Sequence, residues 1–233
     1  MGHPLPRERF SPLRHSGSRQ LTRLQQVPPR FRTFLRPPGL GVKIRLVRTE
    51  ISGQCMIHKI LDKKSQEEVT SLFTSVFTAS EGEKEGRLIG NLASDLSSRI
   101  DNQEIVCFGT YEEESIIGSI FFTRLRFRDV IQIYMLAPVA VSTEHQGKGV
   151  GQALINYGLN ELKNRSVAVV ITYGDPSFYS KVGFRALSEN IIQAPLKLSM
   201  PEGWLGQSLL GEQIPTINER PKCIKEFNNP IYW

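Results

Sequence analysis

A glycine-rich segment between a strand pattern and a helix pattern constrains this chain more than any other feature of its sequence. The stretch Gln146-Gly-Lys-Gly-Val-Gly151 follows the apolar run Val139-Ala-Val141. Apolar residues at helical spacing come next, at Val150, Leu154, Ile155, Leu159 and Leu162. Because the first N–H groups of a helix lack internal partners and carry the positive end of the helix dipole, they attract anions. Glycines let an anion approach the backbone, so the segment predicts a phosphate cradle, with a pyrophosphate as the favoured ligand.

Two common phosphate-binding loops do not match this segment. A Walker loop requires Ser or Thr directly after its Gly-Lys pair, whereas Gly149 follows Lys148. The dinucleotide fingerprint requires Gly-x-Gly-x-x-Gly, whereas the glycines here are Gly147, Gly149 and Gly151. Taken alone, the residues therefore predict either an anion cradle or a plain turn at a helix start, and they exclude these two nucleotide-binding classes.

Hydrophobic periodicity predicts a mixed α/β fold around the glycine-rich segment. The order of elements is β-α-α-β-β-β-α-β-α-β, in which the last β stands for two short late strands, and it combines hairpins with a crossover helix. Strands are predicted at 57–61, 105–111, 116–125, 130–141, 167–173, 184–187 and 194–200, and helices at 69–77, 88–100, 150–162 and 177–182. Pro138 within a strand pattern predicts a bulge or an edge, and the Ser65-x-x-Glu68 spacing predicts a capping box at the first helix.

The first 54 residues differ from the rest of the chain in charge and in proline content. Residues 1–55 contain 11 Lys or Arg and two acids, and they hold seven of the 14 prolines. Since the whole chain carries +6, the +9 of this head leaves the body at −3. High charge with low hydrophobicity predicts a disordered N-terminal extension over residues 1–54. The alternatives are a mitochondrial-type presequence, a nucleic-acid-binding arm, or translated upstream sequence that ends near Met56.

Composition limits the remaining classes of protein. The 233 residues are 39% hydrophobic and 22% charged, which is typical of a soluble globular domain. No apolar run reaches the roughly 18 residues of a membrane-spanning helix, so no membrane partner is expected. Cys55, Cys107 and Cys223 fit neither a disulfide framework nor a zinc site, which predicts a reducing compartment. We expect a cytoplasmic protein, or a mitochondrial one if the head is a presequence, and the acidic body disfavours nucleic acid as a partner.

Three segments together resemble the GCN5-related N-acetyltransferase (GNAT) superfamily. Gln146-Gly-Lys-Gly-Val-Gly151 matches that family's Gln/Arg-x-x-Gly-x-Gly/Ala signature, and Val139-Ala-Val141 resembles its fourth strand. The segment from Tyr173 to Phe184 resembles its sequence of strand, short helix and Tyr-x-x-x-Gly-Phe. Further similarity at 136–141, 203–205 and 227–230 indicates a bacterial subgroup named YhbS-like. The resemblance covers residues 55–233 and leaves the head outside.

This resemblance implies a fold, an activity and domain limits. The fold is an α/β acyl-CoA N-acyltransferase fold, with a mixed central sheet, helices on both faces and a V-shaped cofactor cleft between the fourth and fifth strands. The N-acetyltransferase domain is expected at 55–203, with a C-terminal extension at 204–233 that packs on it. The chain is expected to move the acetyl group of acetyl-CoA directly to a primary amine of a small molecule or protein in a ternary complex. A catalytically weak acyl-CoA-binding or sensor module is the alternative, and a homodimer is left open.

The resemblance also assigns residues to the cofactor. The pyrophosphate is expected on the loop amides, and the pantetheine arm and thioester on the backbone of the preceding strand. The implied cofactor-binding residues are Val139, Ala140, Val141, Gln146, Gly147, Lys148, Gly149, Val150, Gly151, Asp175 and Phe178. No metal ligand is predicted.

Catalytic roles follow from the same resemblance. Tyr179 falls on the family's tyrosine, which is expected to protonate the leaving CoA thiolate. Many relatives carry a glutamate base at about the position of Tyr134 or Met135, and neither residue here is a carboxylate. A water chain that ends on Glu144 or His145 is therefore the expected route for removing the proton of the amine.

Other titratable residues have weaker assignments. Glu81, Glu83 and Glu85 lie between the two early helices, where the family binds its acceptors. Carboxylates there would suit a cationic amine, or they form a solvated polar loop. His58 is predicted on a strand surface and Cys107 in the strand core, since no partner base is apparent for a cysteine nucleophile.

Overall fold

One mixed sheet of eight strands organises the part of the chain that the structure describes. The computed structural model describes the backbone of residues 47–51, 54–128, 130–211 and 213–233, with side chains described from residue 56. All of them belong to one compact unit, Thr33–Trp233, and the other unit, Met1–Arg32, lies outside the described residues. The strands are β1 (Val47–Ile51), β2 (Gln54–Leu61), β3 (Ile105–Glu112), β4 (Ser115–Leu125), β5 (Ile133–Val141), β6 (Val169–Tyr173), β7 (Arg185–Ala186) and β8 (Trp204–Ser208). The helices are α1 (Gln66–Glu81), α2 (Glu83–Ser98), α3 (Val150–Asn164) and α4 (Pro176–Tyr179).

The sheet contains both parallel and antiparallel neighbours. Its strands lie in the order β1-β2-β3-β4-β5-β6-β8-β7. β5 and β6 are the parallel pair, and every other neighbouring pair in this sheet is antiparallel. A parallel pair needs a long crossover connection, which α3 supplies here. The predicted mixed sheet is confirmed.

Helices cover both faces of this sheet. The alternation of β4 sends Phe121 into the core that α1 contributes to, and Phe122 into the core beneath α3. Phe121 lies 5.7 Å from Phe73 of α1, and Phe122 lies 5.7 Å from Phe108 of β3, between ring centroids. Each fully buried ring contributes about 1.5–3 kcal/mol relative to an exposed one. The predicted α/β fold with helices on both faces is confirmed, and none of the helices in the described residues is long and apolar enough to cross a membrane.

The sheet extends past both predicted limits of its domain. β1 lies within residues 1–54, where an extension was expected, and pairs with β2; the rest of that range lies outside the described residues. β8 lies beyond residue 203 and pairs with both β6 and β7. The strand predicted at 194–200 is wrong, because Pro195 in it has no N–H to donate to a ladder. The sheet uses β8 instead, and Trp204 at its start is 1% exposed.

The C-terminal residues 213–233 pack against the domain. Trp233 is 5% exposed, and its indole N–H donates to the Phe227 carbonyl at 2.8 Å. Its ring is stacked on Tyr173 of β6, with 6.3 Å between centroids. Glu226 forms an ion pair with Arg99, which follows α2. These contacts place the end of the chain beside β6 and α2.

The start of α1 differs from the predicted capping box. Ser65 is the residue before the helix, but its side chain makes no capping hydrogen bond. Glu68 accepts a hydrogen bond from the Tyr111 hydroxyl instead. The capping box is therefore wrong, because a phenol on β3 binds the carboxylate that would have turned back to the helix end.

α1 and α2 pack unusually closely. The polar break predicted between them is a single residue, Gly82, with φ +93°. A Cβ on Gly86 would lie 1.9 Å from Oγ1 of Thr78, and one on Gly90 would lie 2.1 Å from Oγ1 of Thr74. Both glycines are therefore required by the approach of the two helices, which form one tightly joined pair.

Candidate functional site

β5 and β6 separate halfway along β5. Their pairing runs from Ile133 with Val169 to Leu136 with Thr172 and then stops, while β5 continues to Val141. On its other edge β5 stays paired with β4, with one extra residue in β5 between Leu136 and Val139. This is the bulge predicted at Pro138, which follows a cis peptide bond. The predicted V-shaped cleft between the fourth and fifth strands therefore lies between β5 and β6, because β1 adds one strand to the count.

The glycine-rich loop begins α3 with free backbone donors. Gly147 and Gly149 have φ values of +71° and +84°, and a Cβ on either would find nothing within 4 Å. Gly149 is the N-cap of α3, and because glycine has no polar side chain, the first turn of the helix has no side-chain cap. Gln146 supports the loop, since its side-chain amide donates to the Val141 carbonyl at 3.0 Å. An open surface, positive φ angles and uncapped amides fit an anion such as a pyrophosphate.

Two of the predicted cofactor residues join the loop to its surroundings. Val150 is 1% exposed and packs with Met56 and Ile117, so its side chain anchors α3. A Cβ on Gly151 would lie 3.5 Å from Cζ of Phe178. The ring of Phe178 therefore covers the first turn of α3 and connects it to α4.

Tyr179 lies beside the end of β6. Its half-buried ring packs on Gly174, where an added Cβ would be 2.7 Å from Cε2 of the ring. Edge contacts with Phe178 and Phe184 hold the ring, at centroid distances of 5.0 and 5.7 Å. Burial raises the pKa of Tyr179, while a hydrogen bond with Thr172 acts in the opposite direction. The hydroxyl therefore keeps its proton at neutral pH and can donate it.

Asp175 and Lys148 are both exposed. The Asp175 carboxylate caps α4 by accepting from the Ser177 backbone N–H at 2.8 Å and from the Ser177 hydroxyl at 2.6 Å. These hydrogen bonds lower the pKa of Asp175. Asp175 thus shapes the segment that carries Phe178 and Tyr179, and Lys148 places a positive charge on the glycine-rich loop.

The two candidate bases differ in their surroundings. Glu144 is exposed in the short 3-10 helix Thr143–His145. His145 has both ring nitrogens occupied: Nδ1 is 2.6 Å from the Ser142 hydroxyl and Nε2 is 3.0 Å from Glu112. Protein groups occupy both nitrogens, so an amine proton could reach His145 only through the Ser142 hydroxyl or after displacing one of these partners.

Tyr134 and Met135, which stand where a glutamate base would be expected, supply no carboxylate. Tyr134 and Met135 are 5% and 2% exposed, and the Tyr134 hydroxyl donates to the carbonyl of residue 103. The three acids at the α1–α2 turn are helical or at a helix end, and Glu83 forms an exposed ion pair with Arg87 at 3.4 Å. Among the residues that the structure describes, no three His, Cys, Asp or Glu side chains are grouped to hold a metal ion.

His58 is not on a strand surface, as predicted, but in the core. It is 1% exposed, its Nδ1 is 2.8 Å from the Thr110 hydroxyl, and it is stacked on Tyr157 at 5.4 Å. Burial lowers the pKa of His58 to about 4, so the ring is neutral at pH 7. The alternation of β2 explains the correction, since His58 shares its face with Met56 and Ile60. Cys107 is buried as predicted, and burial raises the pKa of its thiol to about 12.

Four residues around the site were missed in the sequence. Thr172 and Gly174 contact Tyr179, and Glu112 and Ser142 contact His145. Ser142 lies three residues before His145, and Thr172 and Gly174 lie seven and five residues before Tyr179, so these three are close in sequence to the side chains they contact. Glu112 is brought to His145 by the pairing of distant strands, which local patterns do not report.

Comparisons of sequence agree with this geometry. A family model described as Acetyltransferase (GNAT) domain matches residues 103–186, which run from just before β3 to the end of β7. The N-acetyltransferase YjhQ of Escherichia coli (strain K12), itself uncharacterized, is 31% identical over 118 residues, or 48% of this chain and 64% of YjhQ. YhbS of the same strain is 34% identical over 76 residues, or 32% of this chain and 46% of YhbS. The chain thus spans less than two thirds of each of these curated relatives.

Solved structures share the fold over most of the described residues. YhbS from Escherichia coli, in complex with CoA, has a TM-score of 0.63 at 20% identity, covering 76% of this chain and 93% of YhbS. A GNAT family acetyltransferase from Brucella melitensis, in complex with acetyl-CoA, has a TM-score of 0.52 at 19% identity, covering 72% and 94% of the two chains. The splayed parallel strands and the glycine-rich start of α3 lie inside the matched residues 103–186, so the chain is similar to the GNAT acetyltransferase family over this segment and shares the GNAT fold.

Proposed function

We propose that the chain is an acetyl-CoA-dependent N-acetyltransferase that moves an acetyl group directly to a primary amine in a ternary complex. The observation that carries the proposal is the opening between β5 and β6 beside the uncapped start of α3. Support comes from YhbS, whose structure contains CoA, and from the Brucella melitensis enzyme, whose structure contains acetyl-CoA. The acceptor is a small-molecule or protein amine.

In this proposal the cofactor lies along β5 and the glycine-rich loop. The loop amides from Gly147 to Gly151 bind the pyrophosphate, because the Gln146 N–H already donates to the Thr143 carbonyl at 3.4 Å, and the exposed charge of Lys148 lies nearby. Beyond Leu136 no described strand pairs with the β6-facing edge of β5, so the backbone of residues 139–141 is available for the amides of the pantetheine arm. Phe178 packs over the first turn of α3 and forms an apolar wall beside the loop.

The residues around the bulge suit acyl transfer. Bound acetyl-CoA supplies an acetyl group activated as a thioester. A C–N bond to the amine forms as the C–S bond breaks, and the departing sulfur takes a proton. Tyr179 is placed to give that proton, because burial keeps its hydroxyl protonated and Gly174 fixes its ring. Backbone N–H groups on the free edge of β5 can stabilise the charge that develops on the carbonyl oxygen.

Removal of the amine proton is assigned to water. Positions 134 and 135 hold Tyr and Met, so neither supplies a carboxylate base. Glu144 is exposed and can therefore end a chain of water molecules. The lack of a direct base also favours a second candidate, a catalytically weak acyl-CoA-binding or sensor module on the same fold.

One experiment separates the two candidates. Calorimetry with CoA measures binding, and release of free thiol from acetyl-CoA with a panel of primary amines measures turnover. We expect binding and turnover, and we expect Tyr179→Phe to lower kcat by about 100- to 10,000-fold with CoA affinity unchanged. Binding without turnover on any amine would support the sensor, and absence of CoA binding would contradict both.

A further inference from the structure

Three side chains form a hydrogen-bonded chain between the β3–β4 hairpin and the glycine-rich loop. Glu112 is the last residue of β3, and its Oε2 is 3.0 Å from Nε2 of His145. Nδ1 of His145 is 2.6 Å from Oγ of Ser142, the residue that follows β5. The side chains of His145 and Glu112 are 13% and 23% exposed. Both links are therefore partly shielded from water, which strengthens them.

The chemistry of the three groups fixes the direction of these bonds. A carboxylate oxygen only accepts, so Nε2 of His145 donates to Glu112. In the neutral imidazole Nδ1 is then left to accept from the Ser142 hydroxyl. The remaining oxygen of Glu112, Oε1, is buried and has no hydrogen-bond partner among the described residues. Among the described residues, the hydrogen bond that the Glu112 carboxylate accepts here therefore comes from His145.

The chain of bonds ends where the cofactor loop begins. The Ser142 backbone N–H donates to the Ile117 carbonyl at 2.9 Å, and the His145 backbone N–H donates to the Ser142 carbonyl at 2.8 Å. Gln146 adds a hydrogen bond from its side-chain amide to the Val141 carbonyl at 3.0 Å, and the next buried anchor along the sequence is Val150, which is 1% exposed. Between these anchors the positions of Gly147 and Gly149 are open to solvent. The loop is therefore held by His145 and Gln146 at one end and by Val150 at the other.

We propose that His145 is a positioning residue that, together with Glu112 and Ser142, holds the loop 146–151 in its anion-binding shape. The identity of the bound anion as CoA rests on the proposed function; the tethering of the loop does not. A loop that is already ordered loses less entropy when it binds, so breaking the tether weakens binding and leaves the chemical step unchanged. This differs from a general base, whose loss lowers kcat.

The first test measures the loop in the full-length protein without ligand. Lys148 is exposed in the loop and is a trypsin site, so mass spectrometry can follow cleavage after it. We expect His145→Ala and Glu112→Ala to speed this cleavage about 10-fold, as for the loss of one hydrogen bond to a charged group. Thr143→Ala, in the same exposed turn, should cleave at the wild-type rate.

Two further comparisons separate a tether from a general loss of structure. Cleavage after Lys163, near the other end of α3, should not change in His145→Ala. Glu112→Gln keeps an oxygen that accepts from His145, so it should recover most of the protection that Glu112→Ala loses. A wild-type cleavage rate after Lys148 in His145→Ala, or an equal rise after Lys163, would overturn the inference.

The second test measures affinity and rate. In His145→Ala the dissociation constant for CoA should rise about 10-fold, while kcat at saturating acetyl-CoA stays within about twofold of wild type. A fall in kcat at unchanged affinity would make His145 a base and overturn the positioning role. If wild-type protein does not bind CoA, the proposed function fails, and the cleavage test alone still decides the tether.

Discussion

Replacing His58 with asparagine should remove a large part of the acid sensitivity of this fold. The imidazole is 1% exposed and is bound through Nδ1 to Thr110, and its other ring nitrogen is buried without a hydrogen-bond partner among the residues that the structure describes. Burial lowers its pKa from the usual 6.5 to about 4. Asparagine can still bond Thr110 but does not titrate in this range.

The sign and size follow from the two pKa values. Above pH 6.5 the ring is neutral in both the folded and the unfolded chain, so His58 adds no pH dependence to the free energy of unfolding. As the pH falls from 6.5 to about 4, the unfolded chain takes up a proton that the folded chain excludes. Stability is therefore lost through this window, at up to about 1.4 kcal/mol per pH unit and about 3 kcal/mol in total.

Urea unfolding at several pH values between 7 and 4 gives the required free energies. Carboxylates also titrate in this range, so the informative quantity is the difference between wild type and His58→Asn. We expect wild type to lose about 3 kcal/mol more than the variant. Ile120→Val, a buried change in the same core as the stacked Tyr157, should cost about 0.5–1.5 kcal/mol at every pH and keep the wild-type slope. Equal slopes for wild type and His58→Asn would refute the reasoning.

Three glycine substitutions test other parts of the structure. Gly149→Glu should weaken CoA binding at least 10-fold by calorimetry, because it places a carboxylate among the amides that meet the phosphates and strains a φ of +84°. Gly174→Ala should lower kcat up to about 100-fold with little change in CoA affinity, because its Cβ would push the Tyr179 ring from a contact of 2.7 Å. Gly86→Ala should destabilise the fold by about 1–3 kcal/mol in urea unfolding, because its Cβ would lie 1.9 Å from Thr78, despite the better helix propensity of alanine.

Each of these has an outcome that would count against it. Unchanged CoA affinity in Gly149→Glu would remove the pyrophosphate from the loop. Normal turnover in Gly174→Ala would show that the position of the Tyr179 ring does not matter for catalysis. Asn91→Ala, on the exposed face of α2, is the control for Gly86→Ala, and equal stability of these two variants would contradict the close helix packing.

The site was predictable where its signals are local. The glycine-rich loop, the following helix and the short helix with Tyr179 each occupy a continuous stretch whose residue types specify the backbone, including the positive φ values of Gly147 and Gly149. The hairpin of β3 and β4 and the bulge at Pro138 were predictable for the same reason. A positive φ favours glycine, and a break in the strand ladder favours proline, so both features can be seen in the sequence itself.

Features that depend on pairing between distant segments were not predictable. β8 pairs with β6 across more than 30 residues. The apolar pattern of residues 194–200 is as suitable for a strand as that of β8, and only Pro195 argues against a strand there. His58 is buried, against the prediction of a strand surface, and its burial follows from sharing one face of β2 with Met56 and Ile60. Glu112 meets His145 only because the sheet brings the hairpin beside the loop.

The extra residue in β5 reverses which side chains, those at odd or those at even positions, face each side of the sheet. Before it, the even positions Tyr134 and Leu136 face the core beneath α3; after it, the odd position Val139 does so and Ala140 faces the other side. A deletion of Pro138 would therefore not act like a substitution there. It would exchange the faces of every later residue in β5, turning Val139 toward the α1 side and the small Ala140 toward α3. Removing one residue from this strand would therefore disturb the cores on both faces of the sheet, whereas a substitution changes one side chain on one face.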